Sequence, residues 1–294
     1  MSDQTMGTLT AAEEPEPIPG FWRRLTSSYN GLIGLIIVSV LIICALGADF
    51  LAPYNPTKMG TGGRFLPPGG EFLLGTDEFG RDMLSRILYG SRLTLLIGAV
   101  AVGISLTTGM LIGMTAAFQR GWLEAVLMRS SDVLFSFTET LIALSCVAVL
   151  GPSLQNAVIA VGIAGIPFYA RTCYSASLVE TSKPYFEASV AAGAGPFRLV
   201  FLHLLPNVLP TMIVVATLGV STAILAAAGL SFLGLGAQPP TPEWGYMLAG
   251  SRDYISRAPW LMTIPGLAIA LTVLGFNLLG DGFRTALDPK ERRR

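Results

Sequence analysis

The chain has 294 residues, of which 52% are hydrophobic and only 13% charged, with a mean hydropathy of +0.60. Soluble domains carry roughly 25% charged residues, so the composition points to an all-α, polytopic integral membrane protein. A net charge of zero excludes nucleic-acid binding through a basic surface. Three scattered cysteines (Cys44, Cys146, Cys173) and the single histidine, His203, make neither a disulfide framework nor a metal site.

Residues 1–30 are polar, acidic and Pro-containing at their start, which predicts a largely disordered cytoplasmic tail. Phe21-Trp22-Arg23-Arg24 near its end suits a headgroup boundary. The first apolar run, about Leu32 to Leu51, is long enough to span a bilayer and is assigned a helix over 31–52. It is longer than a signal h-region, and the N-terminus lacks a signal peptide's positive start.

Residues 53–93 form an extracytoplasmic loop rich in Pro and Gly. Gly75, Gly80 and Arg81 only superficially match a P-loop, because Lys and Ser/Thr are missing and three acidic side chains would repel phosphate. A helix capped by Thr76 or Asp77 and running to Tyr89 is the plainer reading. Phe79, Met83, Ile87 and Leu88 would give it an apolar stripe lying on the membrane surface.

A core over 94–283 holds five further spans, about Leu95–Phe118, Val126–Leu150, Leu154–Tyr174, Val208–Leu235 and Leu261–Leu279, making six in all. Gly109 with Gly113, and Ala226 to Gly229, are small-residue surfaces that read as bundle packing before they read as a solute path. Asp132 stands one turn from Arg129 and is expected to pair with it. Glu139 is deeper and has no local partner, so it is a candidate pathway residue able to attract an ammonium group. Asn277 is a second pathway candidate, although with Asp281 one turn on it reads more simply as an inter-helix hydrogen-bonding pair. Lys and Arg placement puts both termini, and a basic tail over 284–294, in the cytoplasm.

One partly polar stretch stands between long apolar runs, Pro184 to Pro206. Pro184 suits a first helical position, Glu187 favours the positive end of the helix dipole, and Gly193 can end the helix. Gly195 and Pro196 then open a second short helix that Pro206 closes. Helices this short are marginal unless something packs on them. The stretch therefore reads as a docking element, with the membrane side as one surface and a soluble partner as the other. Glu187 has a plainer role at its helix start, and His203 reads as a headgroup-boundary residue.

Glu187-Ala188-Ser189, Gly193 and Leu205-Pro206 resemble the Glu-Ala-Ala…Gly…Leu-Pro motif of permease subunits in binding-protein-dependent ABC importers. Ser189 replaces the usual second Ala. Gly75–Asp82 with Ser85-Arg86, Leu230–Gly236, Pro242–Gly245, Asn277–Gly282 and Leu287-Asp288-Pro289 are similar to the C-type permease of dipeptide, oligopeptide and nickel importers. Thr138 departs from the Pro that commonly follows Ser-Phe there.

The resemblance implies the type I importer permease fold in the bacterial inner membrane, with a cytoplasmic coupling helix at 184–206. It implies that Tyr185, Phe186, Glu187, Ala188, Ser189, Gly193, Arg198, Leu205 and Pro206 meet the ATPase. The implied partners are a B-type permease subunit, two ABC ATPases, an extracytoplasmic solute-binding protein and membrane lipid. The chain has no Walker motif, so it is not itself an enzyme and binds no cofactor or metal; ATP and magnesium belong to the ATPases. Short peptides are the expected solute. Nickel or another small solute is the alternative within the family, and an ion-coupled secondary transporter is the alternative outside it.

Overall fold

A computed structural model describes residues 21–287. These residues are helical apart from loops and two isolated bridges, Gly69 to Phe72 and Thr76 to Asp82. The helices are α1 (Phe21–Ser27), α2 (Tyr29–Leu46), α3 (Ala48–Leu51), α4 (Met83–Gln119), α5 (Trp122–Phe135), α6 (Glu139–Leu150) and α7 (Leu154–Thr181). There follow α8 (Pro184–Ala191), α9 (Pro196–Arg198), a π-helical turn (Leu199–Leu204), α10 (Leu205–Phe232), α11 (Trp244–Ser251) and α12 (Trp260–Leu287). Five of the long helical runs are apolar enough to cross a bilayer, and the bent pair α5–α6 adds a sixth when its two halves are counted as one span.

The centre of the bundle is α4 against α7, and glycine sets how closely they approach. A Cβ added at Gly109 would lie 2.5 Å from the Tyr169 Cβ, and one at Gly113 would lie 2.5 Å from the Ala170 carbonyl. The Gly109/Gly113 pair is thus a backbone-to-backbone packing surface, which in a membrane is a main source of helix association. The α10 helix closes the core with Ala223 and Ala227, and its neighbour Ala228 receives Gly245 of α11. On the outside, α2 and α12 pack together, with Gly34 against the backbone of Leu278 and Leu279.

Several expectations are corrected. Residues 21–27 are helical, and the buried Leu25 packs at Gly31 and Gly282, so the order begins inside the expected tail; residues 1–20 lie outside the described ones, as does the basic tail beyond Leu287. The helix expected to lie on the membrane from residue 76 is instead the upper end of α4, which starts at Met83. Its cap is Asp82, whose Oδ2 accepts from the Ser85 N–H at 2.8 Å, rather than Thr76 or Asp77. At 37 residues, α4 is about 55 Å long, well beyond a hydrocarbon core of about 30 Å. Its first turns are wrapped by the 53–82 loop, the Tyr54 N–H donating to Ser85 Oγ at 3.1 Å.

That loop is tied down from within. Thr76 Oγ1 donates to the Gly63 carbonyl (2.6 Å) and accepts from the Leu66 N–H (2.9 Å). Asp77 accepts from the N–H groups of Phe79 and Arg81 and from Arg81 Nε (2.6 Å). Arg86 Nη1 donates to the Pro56 carbonyl at 3.1 Å. Gly75 and Gly80 take φ of +77° and +70°, the conformation for which glycine is favoured, so the glycines that mimic a P-loop are turn residues. Burial and the neighbouring Asp77 charge raise the Glu78 pKa above the ordinary carboxylate range. Trp244 Nε1 and Trp260 Nε1 donate to the Ile87 and Thr76 carbonyls, joining α11 and α12 to the same cap.

The third span is not one helix. Its halves α5 and α6 meet at 91° across residues 136–138. Thr138 makes the bend without proline: at φ −67°, ψ 140° it caps α6, its side chain accepting from the Leu141 N–H.

Candidate functional site

The 184–206 element lies at one end of the bundle, between the last turn of α7 and the start of α10. Pro184 opens α8 as expected, and Gly193 ends it at φ +78°, where the Ala194 N–H reaches the Ser189 carbonyl at 3.1 Å. With the Gly193 N–H on the Val190 carbonyl at 2.9 Å, this 6→1 bond makes the Schellman helix stop, whose left-handed residue glycine supplies without strain. The second helix is not closed at Pro206. The chain passes from α9 into the π-helical turn, where the Leu205 N–H bonds the Val200 carbonyl five residues back, and continues as α10 through Pro206 to Phe232. A proline offers no N–H, and a widened turn has already broken the i→i−4 ladder at that point. Pro206 therefore sits at the start of a helix.

The element is rooted at one face and open at the other. Phe186 is 5% exposed and packs into the main core with Leu199 and Leu204. Tyr185 donates its hydroxyl to the Glu180 carboxylate, and Lys183 Nζ lies 2.5 Å from the same group. Partial burial and this bond push the Tyr185 phenol up to about 12. Asn207 donates to the Tyr185 hydroxyl at 3.3 Å and to the His203 carbonyl at 2.6 Å, tying α10 to α8.

Glu187, Ala188, Gly193 and Arg198 are exposed, and Ser189 bonds back to the Tyr185 carbonyl. Val190 (52%) and Phe197 (75%) present apolar surface beside them, and Phe197 stacks on Phe201 with centroids 4.4 Å apart. Between this face and the end of α4 runs a groove of about 550 Å³ lined by Phe118, Arg120, Phe186, Glu187, Val190 and Leu199. Apolar side chains rimmed by charges on a short helical hairpin are the kind of surface that a protein partner can cover. Leu205 and Pro206 stand apart from that face, at the foot of α10.

Asp132 pairs with Arg171 of α7 at 2.5 Å, not with Arg129; the helix turn brings α5 alongside α7 and offers a cross-helix cation instead. Glu139 begins α6 and has no hydrogen-bond or ion-pair partner among the described residues. Asn277 is exposed on α12 and shares no bond with it, and the expected Asn277–Asp281 inter-helix hydrogen bonding does not occur among the described residues. Tyr169, buried inside an apolar run with its hydroxyl unpartnered, carries no sequence signal of its own.

Residues 109–293 match the family described as binding-protein-dependent transport system inner membrane component, and residues 18–68 match the N-terminal TM domain of oligopeptide transport permease C. The di/tripeptide transport system permease protein DppC of Pseudomonas aeruginosa is 48% identical over 94% of this chain and 93% of its own length. The dipeptide transport system permease protein DppC of Escherichia coli K12 is 44% identical over 99% of each. The glutathione transport system permease protein GsiD of Pectobacterium atrosepticum is 41% identical over 92% and 90%. Among solved structures, a chain of the MetNI methionine ABC transporter, described as inward facing, aligns over 70% of this chain and 98% of its own with a TM-score of 0.59 at 22% identity. That likeness concerns the fold.

Proposed function

The chain belongs to the binding-protein-dependent transport system inner membrane components, in their C-type peptide-permease branch, and from that premise we propose that it forms half of the pathway by which an ATP-driven importer moves short peptides across the bacterial inner membrane. The other half is a B-type permease. The open face of α5 and α6 suits it, with an apolar groove of about 590 Å³ that includes Leu134, Phe137, Leu141 and Val149. Two ATPase subunits, carrying ATP and magnesium, dock on the exposed face of 184–198. A solute-binding protein delivers peptide at the opposite end, where the 53–82 loop lies. Both termini are cytoplasmic in this reading, following the Lys/Arg bias.

The observation that carries the reading is the open hairpin. Phe186 anchors it to the α4–α7 core while Glu187, Val190 and Phe197 face outward. A push on α8 reaches α7 through Tyr185–Glu180 and α10 through Asn207. Those contacts turn ATPase closure into a rigid-body shift of the spans, which opens the cavity to the binding-protein side; hydrolysis resets it.

The test is reconstitution of this chain with its cognate permease, ATPases and binding protein in sealed vesicles. Uptake of radiolabelled dialanine that requires both ATP and the binding protein is expected. ATP-independent uptake by this chain alone would overturn the reading in favour of an ion-coupled carrier.

A further inference from the structure

This inference deepens the peptide-permease reading and rests on it. The break between α5 and α6 leaves residues 136–138 non-helical and exposed on this chain, between two helices that together are long and apolar enough for a span. Irregular backbone at membrane depth is tolerated only where protein covers it or where it lines a water-filled cavity.

Glu139 follows at once, and its carboxylate has neither a cation nor a donor among the described residues. It rests against Gly165 of α7, where an added Cβ would lie 3.8 Å from Oε1. One turn along α7, Tyr169 is 4% exposed, and its hydroxyl has no partner and lodges against Gly219 of α10. Ser105 of α4 also faces Gly165, and its hydroxyl donates to the Gly162 carbonyl at 2.6 Å. Tyr169 and Gly219 lie at the midpoints of two 28-residue helices. Beside the apolar core, at the level of the α7 and α10 midpoints, an exposed and uncommitted carboxylate thus lies near a buried and uncommitted donor.

We propose that the Ser136–Glu139 break lines the aqueous pathway and that the Glu139 carboxylate transiently accepts the protonated amino group of the passing peptide. A peptide's α-amino group is largely cationic at neutral pH, and a charge at the bilayer centre is costly unless something pairs with it. An unpaired carboxylate at the same depth meets that need while remaining weak enough, at a hydrated site, to release the peptide. Tyr169 adds a donor at the same level without holding the charge.

The experiment compares Glu139→Gln, which keeps the shape, with Glu139→Asp, which keeps the charge, in the reconstituted complete importer. Uptake of radiolabelled dialanine is measured at saturating binding protein. The Gln protein is expected to lose about tenfold in uptake, as for a lost charge-assisted contact, while the Asp protein stays within about threefold of wild type. Both should co-purify with the second permease and keep basal ATP hydrolysis. Tyr169→Phe is expected to lose no more than about threefold.

Wild-type uptake by the Gln protein, or a larger loss for Asp than for Gln, overturns the inference. So does dissociation of the second permease from the Gln protein, which would mean that a partner cation neutralises Glu139. If wild-type vesicles take up no dialanine with ATP, the peptide-permease reading fails, and this inference with it. If they do and the Gln protein matches them, this inference alone fails.

Discussion

Substitutions at Gly193 separate the conformational role of the 184–198 hairpin from its proposed docking role. Its φ of +78° lies in the left-handed region, and a Cβ built there meets nothing within 4 Å. The only intrinsic penalty for a side chain is therefore backbone strain, about 1–2 kcal/mol for alanine, and less for Asn or Asp, which visit this conformation more readily. Gly193→Asn should then leave the stop of α8 intact. Gly193→Asp should fold equally well but adds a negative charge at the C-terminal end of α8, which is unfavourable by about 0.3–1 kcal/mol. It also places that charge in the proposed docking face, where a mismatched charge costs several kcal/mol. At about 1.4 kcal/mol per decade, ATPase affinity should fall by roughly a hundredfold. The assay is ATPase retained on the purified complex together with peptide imported per ATP hydrolysed. The Asn protein should pump near wild-type levels, the Ala protein somewhat less, and the Asp protein should insert normally yet fail to couple. Wild-type transport by the Asp protein would refute the reasoning.

Two further predictions concern the bundle. Gly113→Ala forces a Cβ to 2.5 Å from the Ala170 carbonyl and 2.7 Å from the Tyr174 nitrogen, so overpacking should destabilise the protein by about 2 kcal/mol. Gly103→Ala, with open space around its Cβ, should be neutral or slightly stabilising; thermal denaturation in detergent checks the order. Thr138→Pro meets a φ of −67° that the ring already favours. It gives up a long cap bond of 3.4 Å and restricts the unfolded chain by about 0.4–1 kcal/mol. The expected result is a melting temperature close to wild type and retained transport, and loss of insertion would show that the bend needs the threonine.

Much of the architecture was legible in the sequence because hydropathy and length dictate where a chain must be helical in a bilayer. The polar stretch with Pro184 and Gly193 announced its own start and stop. What sequence reading missed depends on contacts between distant residues. Arg171 outcompetes Arg129 for Asp132 because α5 lies beside α7, which spacing along one helix does not reveal. The upper turns of α4 look amphipathic, but their apolar stripe faces the tied-down loop and α11 rather than lipid. The 91° bend at 136–138 has no proline to mark it, and Pro206, which is conspicuous in sequence, ends nothing because a π-helical turn precedes it. Tyr169 is a single polar atom in an apolar run, and only the packing of Gly109 and Gly219 around it shows that its hydroxyl is uncommitted.

The central claim is that the face of 184–198 bears against a nucleotide-driven subunit. Its most direct test is a cysteine introduced at the exposed Val190 and cross-linked within the assembled importer. The account predicts an adduct joining this chain to an ATPase subunit, with a yield that changes when ATP is added. Reaction of that cysteine only from the binding-protein side of the membrane, or an intact assembly in which it never joins an ATPase, would contradict it.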